Sequence, residues 1–249
     1  HTRDITTPWL AASYRIGSAR TVYASWGQGI ESDVAPNRPE FINAGQPLRA
    51  RKSEQVELGY KTVGPRVSWG LAWFQIVQPV WETIAVNPTQ FEQREDGDKQ
   101  HRGLEATVAW RTGAWSLQGG LQALHARRAG STQLGVNDKR PTNVPALSLK
   151  LLGTHALQQV PGLELQAAVL AESDRMVLPD NSARIPGYGR LDLAAAYEQR
   201  QDNGTLTWRL GIDNVFDRRA WRESPYQYGH AYLYPLAPRT VRISVEASL

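Results

Sequence analysis

The chain has 249 residues, a formal net charge of +4 and no cysteine, which removes disulfide scaffolds, thiol nucleophiles and cysteine metal sites. No apolar run approaches the ~18 residues of a spanning helix, so a helical membrane protein is excluded. The basic residues are scattered rather than grouped, so no nucleic-acid partner is expected.

Period-two alternation of apolar and polar residues recurs from end to end and predicts eleven strands. In chain order they cover roughly 9–16, 20–29, 53–63, 66–77, 101–111, 115–127, 145–156, 163–173, 189–199, 205–213 and 239–248. Most approach the ~9–11 residues that a tilted membrane strand needs. A negative mean hydropathy fits strands that alternate lipid-facing and lumen-facing residues.

The connections alternate in length. Short ones carry turn residues: Gly17-Ser18, Gly64-Pro65, Gly113, Pro161-Gly162 and Asp202-Asn203-Gly204. Long ones, at 30–52, 78–100, 128–144, 174–188 and 214–238, are rich in Pro, Asn, Gly and charge. Short turns on one rim and long loops on the other describe an outer-membrane barrel.

The aromatic residues agree with this. Nine Trp and nine Tyr outnumber four Phe, an excess of rings with a polar handle. Tyr14, Tyr60, Trp69, Trp110, Trp115, Tyr197 and Trp208 flank the short turns and share parity with the apolar residues of their strands. A girdle of rings at the short-turn rim is therefore expected, as a bilayer interface selects. In the last strand Val241, Ile243, Val245 and Ala247 alternate with Arg242, Ser244, Glu246 and Ser248 before the apolar Leu249. Arg111, Glu105, Glu164, Asp192, Arg209, Asp213, Arg242 and Glu246 have lumen parity and are expected to pair with one another or to dock a plug.

An odd number of antiparallel strands leaves the first and last pointing the same way, so they cannot close on each other. The expectation is a part of a larger barrel, because an open strand edge cannot stand in lipid. His1-Thr2-Arg3-Asp4 does not resemble a signal peptide, so a mature chain or a piece of a longer one is expected.

Four stretches carry a family resemblance. They are Tyr23–Gly29 running through Pro36-Asn37-Arg38-Pro39, Asn43-Ala44-Gly45 and Lys52–Glu57; Pro186-Gly187-Tyr188 into Arg190–Leu193; Asn214–Trp221; and Tyr232–Pro235 through Pro238–Arg242. Together and in this order they resemble ferric-siderophore receptors of the TonB-dependent class. The resemblance implies an all-β antiparallel transmembrane barrel of about 22 strands, of which residues 1–249 are the C-terminal half. It further implies an N-terminal plug and a TonB-contacting segment outside this sequence, a cell-outer-membrane location in a Gram-negative bacterium, and a ferric siderophore as transported ligand with no covalently bound cofactor.

Candidate ligand contacts lie in the long connections. Tyr226, Tyr228 and Tyr232, with His230 and Tyr234 beside them, either stack on an aromatic chelate or form an upper girdle. Trp81 and Phe91 offer rings in the second long connection. Arg38, Arg49 and Arg51, next to Lys52, either hold an anionic chelate or pair with Glu31, Asp33 and Glu40 or with lipopolysaccharide phosphates. Glu92, Glu95, Asp96 and Asp98 fit no calcium-loop spacing and read as a solvated acidic loop. Asn214–Trp221 reads as a structural loop base.

Two other classes compete. A passive porin needs an even-stranded barrel of its own. A barrel enzyme would need His125 or His155 near Asp174 or Asp180; with no HExxH and no GxSxG, catalysis is not expected.

Overall fold

The computed structural model describes residues 5–227 and 229–248. Expectations that fall on His1–Asp4, Tyr228 and Leu249 lie outside the described residues. The strands are β1 (Trp9–Ile16), β2 (Arg20–Glu31), β3 (Arg51–Val63), β4 (Val67–Asn87), β5 (Gln90–Thr112), β6 (Trp115–Ala129), β7 (Leu147–Ala156), β8 (Leu163–Glu172), β9 (Arg175–Met176), β10 (Arg184–Ile185), β11 (Tyr188–Gln201), β12 (Gly204–Asp213), β13 (Trp221–Glu223), β14 (Tyr226–Gln227), β15 (His230–Ala231), β16 (Tyr234–Pro235) and β17 (Thr240–Ser248). Eleven of them form one antiparallel sheet in the order β1-β2-β3-β4-β5-β6-β7-β8-β11-β12-β17. The sheet is open: β1 pairs only with β2, and β17 only with β12. Every sheet strand falls within a few residues of a segment with period-two patterning.

Register shows why the alternation holds. Tyr14, Val22, Tyr60, Leu71, Ala106, Leu121, Leu149 and Ala171 are successive cross-strand partners. Trp110, Leu117, Gly153, Ala167, Leu193, Ile212 and Val241 form a second row, stepped toward the other edge. A one-residue slip in any strand would turn its apolar set to the opposite face. The face is continuous and unpartnered: Leu58, Leu104, Leu193, Leu210 and Ile243 are all exposed. A sheet this apolar on an uncovered face fits lipid rather than water.

Aromatic residues on this face gather near the short turns, as expected. Tyr60 and Trp69 rings meet at 5.1 Å, Trp115 stacks on His155 at 3.9 Å, and Tyr197 pairs with Trp208. They are not confined there. Trp26 and Trp73 occupy the same face farther up; Trp73 lies four residues beyond Trp69, about 13 Å along the strand.

The opposite face is mixed. Arg209 meets Glu246 at 2.7 Å, Arg242 meets Asp213 at 2.7 Å, and Arg190 meets Asp192 at 2.8 Å. The lumen-parity charges named from sequence thus include true pairs. Tyr23 lies across from Gly59 and Phe74 across from Gly103, where a Cβ would strike the facing ring. Glycine makes room for each ring to lie flat over the partner backbone.

One expected loop is a sheet. Residues 78–100 continue β4 and β5 past the other strands as a long hairpin. Pro79 cannot donate to a ladder, and the register shifts between Pro79 and Trp81. Asn87 closes the hairpin: its Oδ1 accepts from the Thr89 and Gln90 amides at 3.0 and 2.9 Å. No period-two signal marks these strands, because apolar residues occupy both parities of the extension: Val80, Ile84 and Val86 on one, Trp81 and Ala85 on the other.

Candidate functional site

Antiparallel order places all five short turns at one end of the sheet and all five long connections at the other. The long connections are bonded to one another. Residues 32–50 dock on the hairpin, where Ile42 N donates to Phe91 O and Phe91 N to Glu40 O, both at 2.9 Å. Asn43 exchanges two bonds with the Gln93 backbone, at 2.7 and 3.2 Å. Phe41, buried, packs on Phe91 with centroids 6.0 Å apart.

The hairpin is in turn clasped by the connection after β6. Asp96 is fully buried and accepts from Ser131 Oγ, from Thr132 N and Oγ1 at 2.7 Å each, and from Gln133 Nε2 at 3.3 Å. Arg128 donates to Glu82 Oε1 at 2.6 Å and to Asp96 O at 2.9 Å. Burial pushes the Asp96 carboxyl up, but the donors from Ser131, Thr132 and Gln133 outweigh it and hold the group below its ordinary value. The acidic stretch is therefore not a solvated loop at Asp96: the ordered donors replace water. At Lys99, by contrast, burial dominates and lowers the pKa against the pull of Glu82.

Asn143 joins the remaining connections. Its Oδ1 accepts from Ser224 N at 2.8 Å, its carbonyl from Arg175 Nη1 at 2.6 Å, and its own amide donates to Met176 O at 2.9 Å. Arg140 Nη2 donates to Asp174 at 2.7 Å, and that bond with the guanidinium charge lowers the Asp174 pKa. At the base of the last connection Asn214, almost fully buried with φ 51°, donates to Arg218 O at 3.0 Å and Ala237 O at 2.9 Å. Asn214–Trp221 is thus a structural loop base, as its composition suggested.

The candidate residues fall into two groups. Arg38, Arg49, Arg51, Trp81 and Phe91 belong to the unit made by the first long connection and the hairpin. Arg38 lies 4.0 Å from Glu40, and Arg49 is exposed. Arg51 lies across from Glu31 in the β2–β3 ladder, but its ion pair is with Glu95 at 3.0 Å, and Glu95 is the cross-strand partner of Trp81. Trp81 and Phe91 lie in strands rather than in a loop. Tyr226 and Tyr232 sit beyond β6, β7, β8, β11 and β12 in the last connection, Tyr226 half-buried and Tyr232 exposed. The first group is tied around the hairpin through Glu40 and Glu95, whereas Tyr226 and Tyr232 belong to a different connection.

This end of the sheet offers guanidinium groups, indole and phenol rings. Among the described residues no three His, Asp or Glu side chains converge as a metal group. It can hold an anionic or aromatic molecule. His125 faces Arg102 and His155 stacks on Trp115, while Asp174 binds Arg140 and Asp180 binds Ser182, so no His–Asp pair forms. Sequence reading missed the Asp96–Arg128 and Asn143 junctions. The Asn87-Pro88 turn signal was present and would have revealed the hairpin.

Comparison with known proteins bears on the whole arrangement. A family model described as TonB dependent receptor-like, beta-barrel, matches residues 1–215. The ferrichrome receptor FcuA of Yersinia enterocolitica is 29% identical over 223 residues, covering 88% of this chain and 28% of that protein. The structure of BauA, the ferric preacinetobactin receptor of Acinetobacter baumannii, superposes with a TM-score of 0.80 at 26% identity, covering 97% of this chain and 36% of that one. The ferric yersiniabactin uptake receptor FyuA of Yersinia pestis gives a TM-score of 0.78 at 20% identity, covering 95% and 36%. The chain thus spans about a third of the length of the relatives it matches.

Proposed function

The chain belongs to the TonB-dependent receptor-like β-barrel family, and from that premise we propose that the protein carrying it is an outer-membrane receptor of a Gram-negative bacterium. It binds a ferric siderophore outside and imports it to the periplasm with TonB-coupled energy. The sheet supplies the last eleven strands of a plugged barrel of about 22. Plug, remaining strands and TonB-contacting segment belong to the rest of the protein.

The observation that carries this reading is the continuous apolar face under a bonded crown of long connections. The odd strand number and two open edges support a partial barrel, since lipid tolerates no unpaired edge. FcuA is a ferrichrome receptor and BauA a ferric preacinetobactin receptor, which supports the ligand class. Members of the family are receptors and transporters, not enzymes.

In this reading Arg38, Arg49 and Arg51 hold carboxylate or hydroxamate oxygens of the chelate. Trp81, Phe91, Tyr226, Tyr228 and Tyr232 pack on its rings and chain. The apolar face meets lipid and lipopolysaccharide.

The test is uptake of radiolabelled iron as a ferric siderophore panel by cells expressing the full-length protein, with and without TonB. TonB-dependent uptake of at least one chelate supports the proposal. Steady ion conductance in a planar bilayer with no TonB-dependent uptake would instead favour a passive channel. The intact mass of the polypeptide from outer membranes checks the partial barrel: a mass equal to this chain alone would overturn it.

A further inference from the structure

One strand tryptophan stands on the wrong face. Below the crown, tryptophans such as Trp26 and Trp69 belong to the apolar face, whereas Trp9 of β1 lies on the mixed, lumen-parity face. It is 73% exposed and makes no ring contact among the described residues. Its cross-strand row runs through Gly27, Gln55, Ile76 and His101, and one step nearer the crown Gly29 faces Ser53. Trp9, Gly27, Gly29, Ser53, Gln55 and Ile76 line a cavity of about 470 Å³. Glu54 borders it but has the opposite parity, so the side chains that face the cavity are uncharged. The cavity floor is bare. At Gly59 and Gly103 an added Cβ would strike the ring that lies over the glycine. At Gly27 it would meet only Cβ and Cα of Trp9, at 3.1 and 3.9 Å, and at Gly29 only Ser53 Oγ. The indole thus stands off both glycines and leaves their backbone uncovered.

From this slot we propose that the protein takes a chelate carrying a planar aromatic ring, which enters between the Trp9 indole and the backbone of Gly27 and Gly29. The inference rests on the ferric-siderophore reading above and narrows its ligand to aryl-bearing chelates. An aromatic ring stacks offset on an indole, and glycine lets it approach the backbone because no Cβ intervenes. The same wall already seats rings on glycine, with Tyr23 over Gly59 and Phe74 over Gly103. At Gly27 the described chain supplies no such ring. The uncharged lining suits a neutral ring rather than the charged oxygens of the chelate. Those fall to Arg51, on the same face of β3 and four residues nearer the crown than Gln55, about 13 Å along the strand. Ser53 Oγ and the Gln55 amide edge the slot, where they can bond a phenolic oxygen. An aliphatic arm of the chelate would fill the same volume without the stacking.

The test uses the full-length protein: wild type, Trp9→Ala, Trp9→Leu and Trp9→Phe, each checked for a folded barrel by heat-modifiable gel migration. The probes are two tripodal ferric trihydroxamates, alike in charge and in iron-binding oxygens, one acylated with benzoyl and the other with acetyl groups. Binding of each, labelled with radioactive iron, is measured by equilibrium dialysis in detergent. Wild type is expected to bind the benzoyl chelate about tenfold more tightly than the acetyl one. Trp9→Ala should lose that preference and keep its affinity for the acetyl chelate, and Trp9→Phe should retain most of the preference. Trp9→Leu keeps apolar bulk without a ring and reads the same loss should Trp9→Ala fail to fold. A wild type without the preference overturns the slot, and so does a preference undiminished in the ringless variants. An equal loss of both chelates on removing the ring also overturns it and assigns the indole to packing against the rest of the protein. TonB-dependent uptake of a ferric siderophore with no aryl preference in binding sinks this inference alone, whereas uptake of none of the siderophore panel sinks the siderophore reading itself.

Discussion

Thr132 holds Asp96 by two bonds at once: its amide and its hydroxyl each donate to Asp96 Oδ1 at 2.7 Å. Asp96 sits in the β4–β5 hairpin and Thr132 in the connection after β6, so this contact clasps two long segments that the local sequence leaves independent. Arg128 completes it from below, bound to Glu82 and to the Asp96 carbonyl.

Asp96→Ala should open this clasp. It leaves Thr132 N without its acceptor and strips Arg128 of one carboxylate, and the local cost is about 2–4 kcal/mol. The strands below keep their ladders. The expected result is faster proteolysis within 130–139 with unchanged heat-modifiable migration; equal protection in variant and wild type would sink the clasp.

Acid should do the same to the wild type. A carboxyl whose pKa is lower folded than unfolded stabilises the closed form above the unfolded value and loses that contribution as pH falls through the folded value. Asp96 and Asp174 are both lowered, Asp96 by donors that outweigh its burial and Asp174 by Arg140. The contacts are therefore intact from neutrality down to about pH 4, the ordinary carboxylate range, and weaken below it. Hydrogen–deuterium exchange of the 130–139 amides, corrected for the intrinsic pH dependence of exchange, should lose protection only in that acid window, and in Asp96→Ala protection should be low throughout.

Leu193→Arg and Ala194→Arg test which face meets lipid. Leu193 lies in the apolar row between Ala167 and Ile212, and Ala194 on the opposite face between Gln166 and Gly211. Arginine at 193 should cost about 2–4 kcal/mol near the bilayer midplane, against far less at 194. Urea unfolding of the full-length protein in lipid vesicles reads the difference; equal costs would overturn the assignment of faces.

Asn214→Ala should loosen the base of the last connection. It removes both donors to the Arg218 and Ala237 carbonyls and the acceptor of Arg218 N, and it places alanine at φ 51°. A loss of about 2–4 kcal/mol is expected. Asn214→Gly relieves only the backbone part, so it should recover a minority of that loss in the same urea measurement; full recovery would mean the side-chain bonds contribute nothing.

The strands, their direction and the two rims were legible in the amino-acid sequence because each reports locally. Period-two alternation marks a strand with unlike faces wherever one face meets lipid, and Gly64-Pro65 or Asp202-Asn203-Gly204 encodes its own turn. The lumen-parity charges could be named for the same reason, and Arg209–Glu246 and Arg242–Asp213 follow from cross-strand proximity. Tertiary structure alone decided the crown. The hairpin extension from Gln78 to Gln100 carries apolar residues at both parities, Val80 and Ile84 on one and Trp81 and Ala85 on the other, so it has no alternation to read. Asp96 looks like any exposed acid until Ser131, Thr132 and Gln133 close over it, and Asn143 looks like a loop residue until Ser224 arrives from 81 positions away. Periodicity is a property of neighbours in the chain, whereas partners of buried polar groups are set by the packing of segments far apart in it.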